Sequence, residues 1–538
     1  MSGENVQGLS PLNAMDSPKK DLGSSDIEKE STDLKKSDIN ESAISEFNEL
    51  SSPSKKELDK VYRHLDYRII PAIWCLYFLT SFGSSAYGNT LTMNFEKNHS
   101  LEASLNLDAH ALSTATALYY VAYIIFDLPM NLAMTKLSPQ VWLCRIVMSV
   151  GLCYICYVAL HNASGLEAIR FMTGLAESGT WPGLTYYISL WYPEERTARR
   201  IGYYFTAAQL SAAAAGLVAA GFQKMDMVHG YYGWKWLYIV YGSIVIACGI
   251  SLIWWLPDRP AHLLEKEAKS HHFLPKRIRK YFTTTQPLSL EERKLHAMDM
   301  EKRYKKVEWG IVDLVRVISD PRTWALIIMY FGVVGTGYGL AVFATTLIKV
   351  NNPNLSGIDV SLLYAPIWLF DLAAILLVTP FADKYKGQRY VFFSCACVII
   401  IVGLLVTTYA KGPWSRWGGL LICGFGLGPT VPICMTLAAE IMTSVYGDIG
   451  CAAAAALVSG LGNLGSVTST YALYTGWPAD EKNLYRNSNM ILLLMCAMSI
   501  VACFALTVMR KYMSEKPYSK TKIAESESGT GMSIRSAV

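Results

Sequence analysis

The chain has 538 residues, of which 52% are hydrophobic, 12% aromatic and 17% charged, with a formal net charge of +5. These figures exclude a nucleic-acid binder, because the basic residues cluster beside apolar runs and form no stripe across a polar domain. They also exclude a disulfide-stapled module: the 12 cysteines, Cys75 through Cys503, all fall inside apolar segments, and Cys153-Tyr-Ile-Cys156 sits mid-run, where thiols pack.

In chain order, residues 1–68 are rich in Ser, Lys, Asp and Glu and predict a disordered cytosolic tail. Apolar runs of spanning length follow at 69–88, 112–133, 141–160, 167–192, 200–222 and 234–256. A polar linker occupies 257–321, and further runs lie at 322–347, 361–382, 390–410, 416–442, 450–475 and 488–510, before a polar tail at 511–538. The first run starts far behind a polar tail, so it reads as a retained span and not as a cleaved signal. The predicted fold is an all-α membrane protein with twelve transmembrane helices, a six-helix half at 69–256 and another at 322–510. Basic clusters at Lys276-Arg277 and Lys302-Arg303 place the linker in the cytosol. Arg196, Arg199 and Arg200, and then Lys384, Lys386 and Arg389, fall on the same side, so both termini are expected inside. Asn98-His99-Ser100, a glycosylation acceptor triplet, lies in the first outward loop and agrees with that orientation. No phosphate-binding Gly-x-x-x-x-Gly-Lys-Ser/Thr loop is present, which argues against direct ATP-driven pumping.

The fourth run holds Arg170 and Glu177 in otherwise apolar surroundings. A spacing of seven is two helical turns, so both groups share one face, about 10 Å apart along the axis. Glu177 lies about 15 Å from the outer end, near the midplane. Ionisable groups at that depth are costly and persist where they face a partner, a cavity or an ion path. One reading makes Arg170 an anion clamp and Glu177 a proton site, with the anion competing for Arg170 and so promoting protonation of Glu177. The other is a structural salt bridge between helices. Asp127 and Asp371 are further intramembrane acids; Asp127 is a helix anchor or a second proton site. Tyr338, between Gly337 and Gly339, and Gln209 either hydrogen-bond a ligand or join helices. No residues suggest a metal site or a bound cofactor, and nothing suggests an enzyme.

Two six-span halves joined by a long linker resemble the major facilitator superfamily, whose halves rock about a site near the midplane. Arg170 to Arg200 is similar to the corresponding stretch of the fungal anion:cation symporters, the allantoate permease family. His64-Leu-Asp66-Tyr-Arg68, Phe126-Asp127-Leu-Pro129, Gly233-Trp234-Lys235-Trp236 and Gly462-Asn463-Leu-Gly465 extend the resemblance. It implies carriage of a small organic anion, such as nicotinate, pantothenate, biotin or allantoate, usually with protons. It also implies a binding role for Asn463. Phe381-Ala382-Asp383-Lys384 with Arg389 resembles the superfamily's cytoplasmic gate and implies a latch of Asp383, Lys384 and Arg389. Two departures stand out. Where relatives carry Leu-Asp-Arg-x-Asn on span one, this chain has Phe82-Gly83-Ser84-Ser85-Ala86. Thr436-Leu-Ala-Ala-Glu440 replaces a Trp-x-x-Asn-Asn segment near span ten. These changes point to an atypical ligand, a sulfonate or sulfur oxyanion, and make uncoupled diffusion more plausible than in a typical relative.

The expectation is a proton-coupled importer of a small anion working by alternating access as a monomer among membrane lipids. A nutrient receptor that has lost transport, or an uncoupled facilitator, would share the same features. The plasma membrane is the expected location, with the endoplasmic reticulum and the vacuole as alternatives.

Overall fold

The computed structural model describes residues 55–260, 287–303 and 311–513. Most of both expected tails, much of the linker, and the side chain of Asp383 lie outside the described residues. All regular structure among the described residues is helical.

Helix α1 (Lys55–Thr90) starts well before the expected boundary at residue 69. Its early turns are amphipathic: Val61, Tyr62, Leu65 and Ile69 are buried at helical spacing while Arg63, His64 and Tyr67 are not. Composition alone therefore placed residues 59–68 in the disordered tail, and burial of one apolar face makes them helix. Next come α2 (Ala109–Lys136), α3 (Pro139–Cys156), α4 (Ala163–Glu177), α5 (Thr180–Trp191), α6 (Glu194–Gln223) and α7 (Gly233–Trp255). Side-chain caps start several of them: Asp108 accepts from Ala111, Ser138 from Val141 and Asn162 from Gly165. Within the linker stand α8 (Leu290–Arg303) and α9 (Ile311–Ser319). Helices α10 (Pro321–Asn351), α11 (Gly357–Lys384), α12 (Arg389–Tyr409), α13 (Pro413–Gly462), α14 (Leu464–Ala472) and α15 (Arg486–Tyr512) complete the bundle.

Ten of the described helices are long and apolar enough to cross a bilayer. Two more crossings are built differently. The fourth is α4 followed by α5, broken at Gly179, whose φ of 80° lies in the left-handed region. The tenth and eleventh share α13. Arg416 bonds Asn351 at the C-terminal end of α10, and Tyr446 bonds Asp320 at its N-terminal end. A straight continuation would carry Gly462 about 24 Å past Asp320. Gly462 instead packs on Tyr330, and Gly465 on Phe331, so the chain has reversed and climbs back along α10.

Helices α2 and α4, α3 and α7, and α6 and α7 pack within the first group; α10 with α13 and α15, and α12 with α13, pack within the second. The groups meet along α6–α11 and α2–α14. Glycines let backbones approach: a Cβ at Gly174 would lie 2.1 Å from the Tyr119 carbonyl oxygen, and one at Gly465 would lie 2.1 Å from that of Phe331. Gly335 and Gly339 lie in an unbroken helix and face Gly465 and Ser469.

The two ends of the bundle differ. At the end bearing α8, several polar ties lie within one group. Arg200 forks onto Asp66, Arg196 pairs with Asp59, and α8 docks on the first group through Tyr62–Asp299, His64–Glu292 and His296 against the Trp191 carbonyl. In the second group Asp320 holds Arg322 and Tyr446. At the opposite end the groups are stitched together. The Gln223 amide donates to Gly357 O at 3.1 Å and Ser361 Oγ at 2.9 Å, and its carbonyl accepts from Asn94 N. Gly357 N donates to Glu96, and Thr345 donates to Gly88 O. The bundle is therefore closed at the end away from α8.

Candidate functional site

Arg170 and Glu177 sit on α4, and α2 lies against them because Gly174, one turn from each, offers no side chain. Arg170 is 1% exposed. Its guanidinium carbon lies 3.9 Å from the Tyr87 ring centre and 4.4 Å from that of Tyr119, and Nε donates to Ala115 O at 3.4 Å. Nη1 is buried and has no hydrogen-bond partner. Desolvated cation–π contacts of this kind are worth about 2 kcal/mol each. They hold the cation without neutralising it.

Glu177 is not its counter-ion. The carboxylate accepts from Tyr119 Oη at 2.8 Å and Ser84 Oγ at 3.5 Å, and Ser84 and Tyr119 are themselves 2.8 Å apart. No ion pair joins Arg170 to Glu177; they communicate through Tyr119, which stacks on one and donates to the other. Around them Tyr154, Tyr157, Tyr238 and Tyr241 form one aromatic cluster, with Tyr154 parallel to Tyr238 at 5.5 Å. The Tyr154 hydroxyl is buried without a hydrogen-bond partner, and that of Tyr157 lies against Thr173 and Arg170. Gly83 makes room for this cluster, since a Cβ there would lie 2.2 Å from the Tyr154 ring. The salt-bridge reading of the pair is thus not what the geometry gives. A buried cation with a free N–H, beside a hydrogen-bonded carboxyl, can take an anion on one group and exchange a proton on the other.

The other expected residues distribute as follows. Tyr338 is 39% exposed and meets Tyr120 edge-on at 5.1 Å, across the boundary between the two groups. Gln209 Nε2 donates to Asp371 at 3.2 Å, also across that boundary. Asp127 Oδ1 accepts from Gly179 N at 3.0 Å, so it ties α2 to the residue that precedes α5. Asn463 stands at the junction of α13 and α14, partly exposed. Arg389 bonds Glu440 on α13. Glu440 is therefore a paired, partly exposed acid. Lys384 is exposed beside the Tyr385 ring. Asp383, the acid of the expected latch, has its side chain outside the described residues. Asn98 is exposed with φ 57°, while Ser100 of the same triplet is buried and caps Ala103.

Sequence reasoning missed the tyrosines and Ser84. The signal existed, because Tyr154/Tyr157 and Tyr238/Tyr241 recur at i and i+3 and so share helix faces. With 32 tyrosines in the chain, that spacing alone did not single them out.

The Major Facilitator Superfamily profile matches residues 73–470. The chain is 44% identical over 466 residues to vitamin H transporter 1 of Schizosaccharomyces pombe, covering 85% of this chain and 81% of that protein. A putative tartrate transporter of Agrobacterium vitis is 25% identical over 422 residues, 78% of this chain and 88% of the relative. Among solved structures, a bacterial homologue of the human lysosomal transporter Spinster, inward-facing and unoccupied, superposes with a TM-score of 0.57 at 13% identity. That match covers 86% of this chain and 99% of the other.

Proposed function

Because the chain belongs to the major facilitator superfamily and is a secondary transporter, we propose that it imports a small organic carboxylate together with protons. The observation that carries this reading is the partnerless Nη1 of the buried Arg170. A cation held by ring faces, one weak backbone contact and the neighbouring Tyr157 hydroxyl meets no acid and keeps its charge available, and a carboxylate is the group that completes it. The relatives named for vitamin H and for tartrate support the same class, since both compounds are carboxylic acids. Membership among the fungal anion:cation symporters is part of this proposal.

In the proposed cycle the anion binds Arg170 and draws the guanidinium from the Tyr119 ring. Tyr119 is then free to reorient, and Glu177 loses a donor and takes up a proton. The α8 end is read as the cytosolic one by its flanking basic residues, so the closed end is the outward one. The plasma membrane is the proposed location. An uncoupled facilitator is the second reading, favoured by Ser84, a neutral group standing against Glu177 where relatives carry charge. Uptake of labelled biotin, pantothenate, nicotinate and tartrate by cells expressing the chain, at two external pH values, tests both. Accumulation of one carboxylate above equilibrium at the lower pH is expected. Equilibration without accumulation would leave the facilitator, and no uptake of any of the four would sink the carboxylate reading.

A further inference from the structure

Most acids on the spanning helices have an evident partner. Asp66 meets Arg200, Glu440 meets Arg389, and Asp127 accepts from Gly179 N. Asp371 does not fit this pattern. It is 1% exposed and lies at the midpoint of α11, about 21 Å from either end. From α6 it receives the neutral amide of Gln209, itself mid-helix, at 3.2 Å. From α13 it faces Gly428, where a Cβ would come within 2.9 Å of Oδ1. Neither neighbour carries charge, and no cation among the described residues forms an ion pair with it. A carboxylate so placed bears its desolvation uncompensated, and protonation removes that cost. Helices α6 and α11 also form an extensive contact between the groups, so relative motion of the groups must change what surrounds this carboxyl.

We infer that Asp371 carries a second transported proton, with Gln209 as the positioning residue that keeps it at the contact between the groups. The inference rests on the proton-coupled reading above. On the proton-rich side a carboxylate oxygen of Asp371 gains a proton; after reorientation that O–H bond breaks on the other side and the carboxylate returns. Gln209 suits both states, because its N–H donates to the carboxylate and its carbonyl accepts from the carboxyl. Glu177, on the other group, carries the first proton, so each half of the carrier would hold one.

The test uses the full chain in proteoliposomes with the membrane potential clamped at zero. The probe is labelled biotin, or whichever of pantothenate, nicotinate and tartrate the uptake screen returns. Each coupled proton raises the limiting accumulation ratio about tenfold per pH unit of gradient. The wild type should rise about a hundredfold per unit and Asp371→Asn about tenfold. A wild-type slope of about tenfold, or an Asp371→Asn slope equal to wild type, would overturn the inference while leaving coupled transport standing. A wild-type ratio that ignores the gradient would instead bring down the coupled reading itself. If Asp371→Asn is inert, Asp371→Glu decides: recovery of the hundredfold slope supports a proton carrier, and anything less assigns the carboxyl to packing. Gln209→Ala should keep exchange of labelled for unlabelled probe but move its pH midpoint. An unmoved midpoint would remove Gln209 from the assignment.

Discussion

A guanidinium held by ring faces responds to substitution differently from one held by a carboxylate. Arg170→Lys keeps the charge but loses the planar fork and most of the stacking on Tyr87 and Tyr119. It should reach the membrane yet lose at least about tenfold in uptake, roughly the 1–2 kcal/mol of one such contact. Near wild-type uptake in a transport assay would exclude Arg170 from binding. Glu177→Gln preserves the volume and can still accept from Tyr119, so exchange of labelled substrate should persist while gradient-driven accumulation falls. Survival of full accumulation would move the first proton elsewhere. The pair was legible in the sequence because two ionisable groups two turns apart stand out against an apolar background. Its chemistry was not, since nothing in the spacing says that Tyr119 and Ser84, from α2 and α1, stand where a salt bridge was one option. Contacts between helices are set by packing, which a single sequence does not print.

Helix α4 ends where Gly179 turns left-handed and Asp127 accepts from its N–H, so the fourth crossing is jointed just past Glu177. Gly179→Ala adds a Cβ 2.9 Å from that of Met130 in a backbone conformation costing about 1–2 kcal/mol for any other residue. Together these should lower the thermal midpoint of the purified carrier by several degrees, and an unchanged midpoint would mean the joint is slack. Gly174→Ala should be worse, because its Cβ meets the backbone of Tyr119 and neither helix can yield without opening the site. Apolar length and punctuation made the number of crossings readable. The reversal within α13 was readable too, as the gap between the expected runs 416–442 and 450–475, whereas the left-handed turn at Gly179 that joints the fourth crossing was not, because it lies inside one unbroken apolar run. The helical start of α1 was hidden for the opposite reason: a polar segment with one buried face looks like tail until a partner covers it.

At the scale of the whole molecule, the state is set by which end is stitched. Gln223 makes hydrogen bonds to Gly357, Ser361 and Asn94 and is buried, so Gln223→Ala leaves several groups unpaired at the closed end. At about 1–2 kcal/mol, the shift toward opening at that end is about tenfold. Single cysteines placed on that side should then react correspondingly faster with impermeant thiol reagents, in a background where the native thiols are accounted for. Equal rates would show that other contacts, such as Thr345 on Gly88, hold the closure alone. The halves themselves could be read from the sequence, whereas the partners across the boundary could not, since Gln223 and Ser361 are ordinary polar residues at helix ends until the fold brings them together.

The stitching at the closed end is made mostly of amides, hydroxyls and backbone groups, joined by the Glu96 carboxylate and by Lys349 against the Phe95 ring. The opposite end is held by Arg200–Asp66, Arg196–Asp59 and His64–Glu292 within a single half. Ionic strength acts on exposed charges and hardly at all on buried neutral hydrogen bonds. Raising salt should therefore loosen the seating of α8 on the first half more than it shifts the balance between the two carrier states, so ionic strength would rearrange the α8 surface of this transporter before it changes its resting orientation.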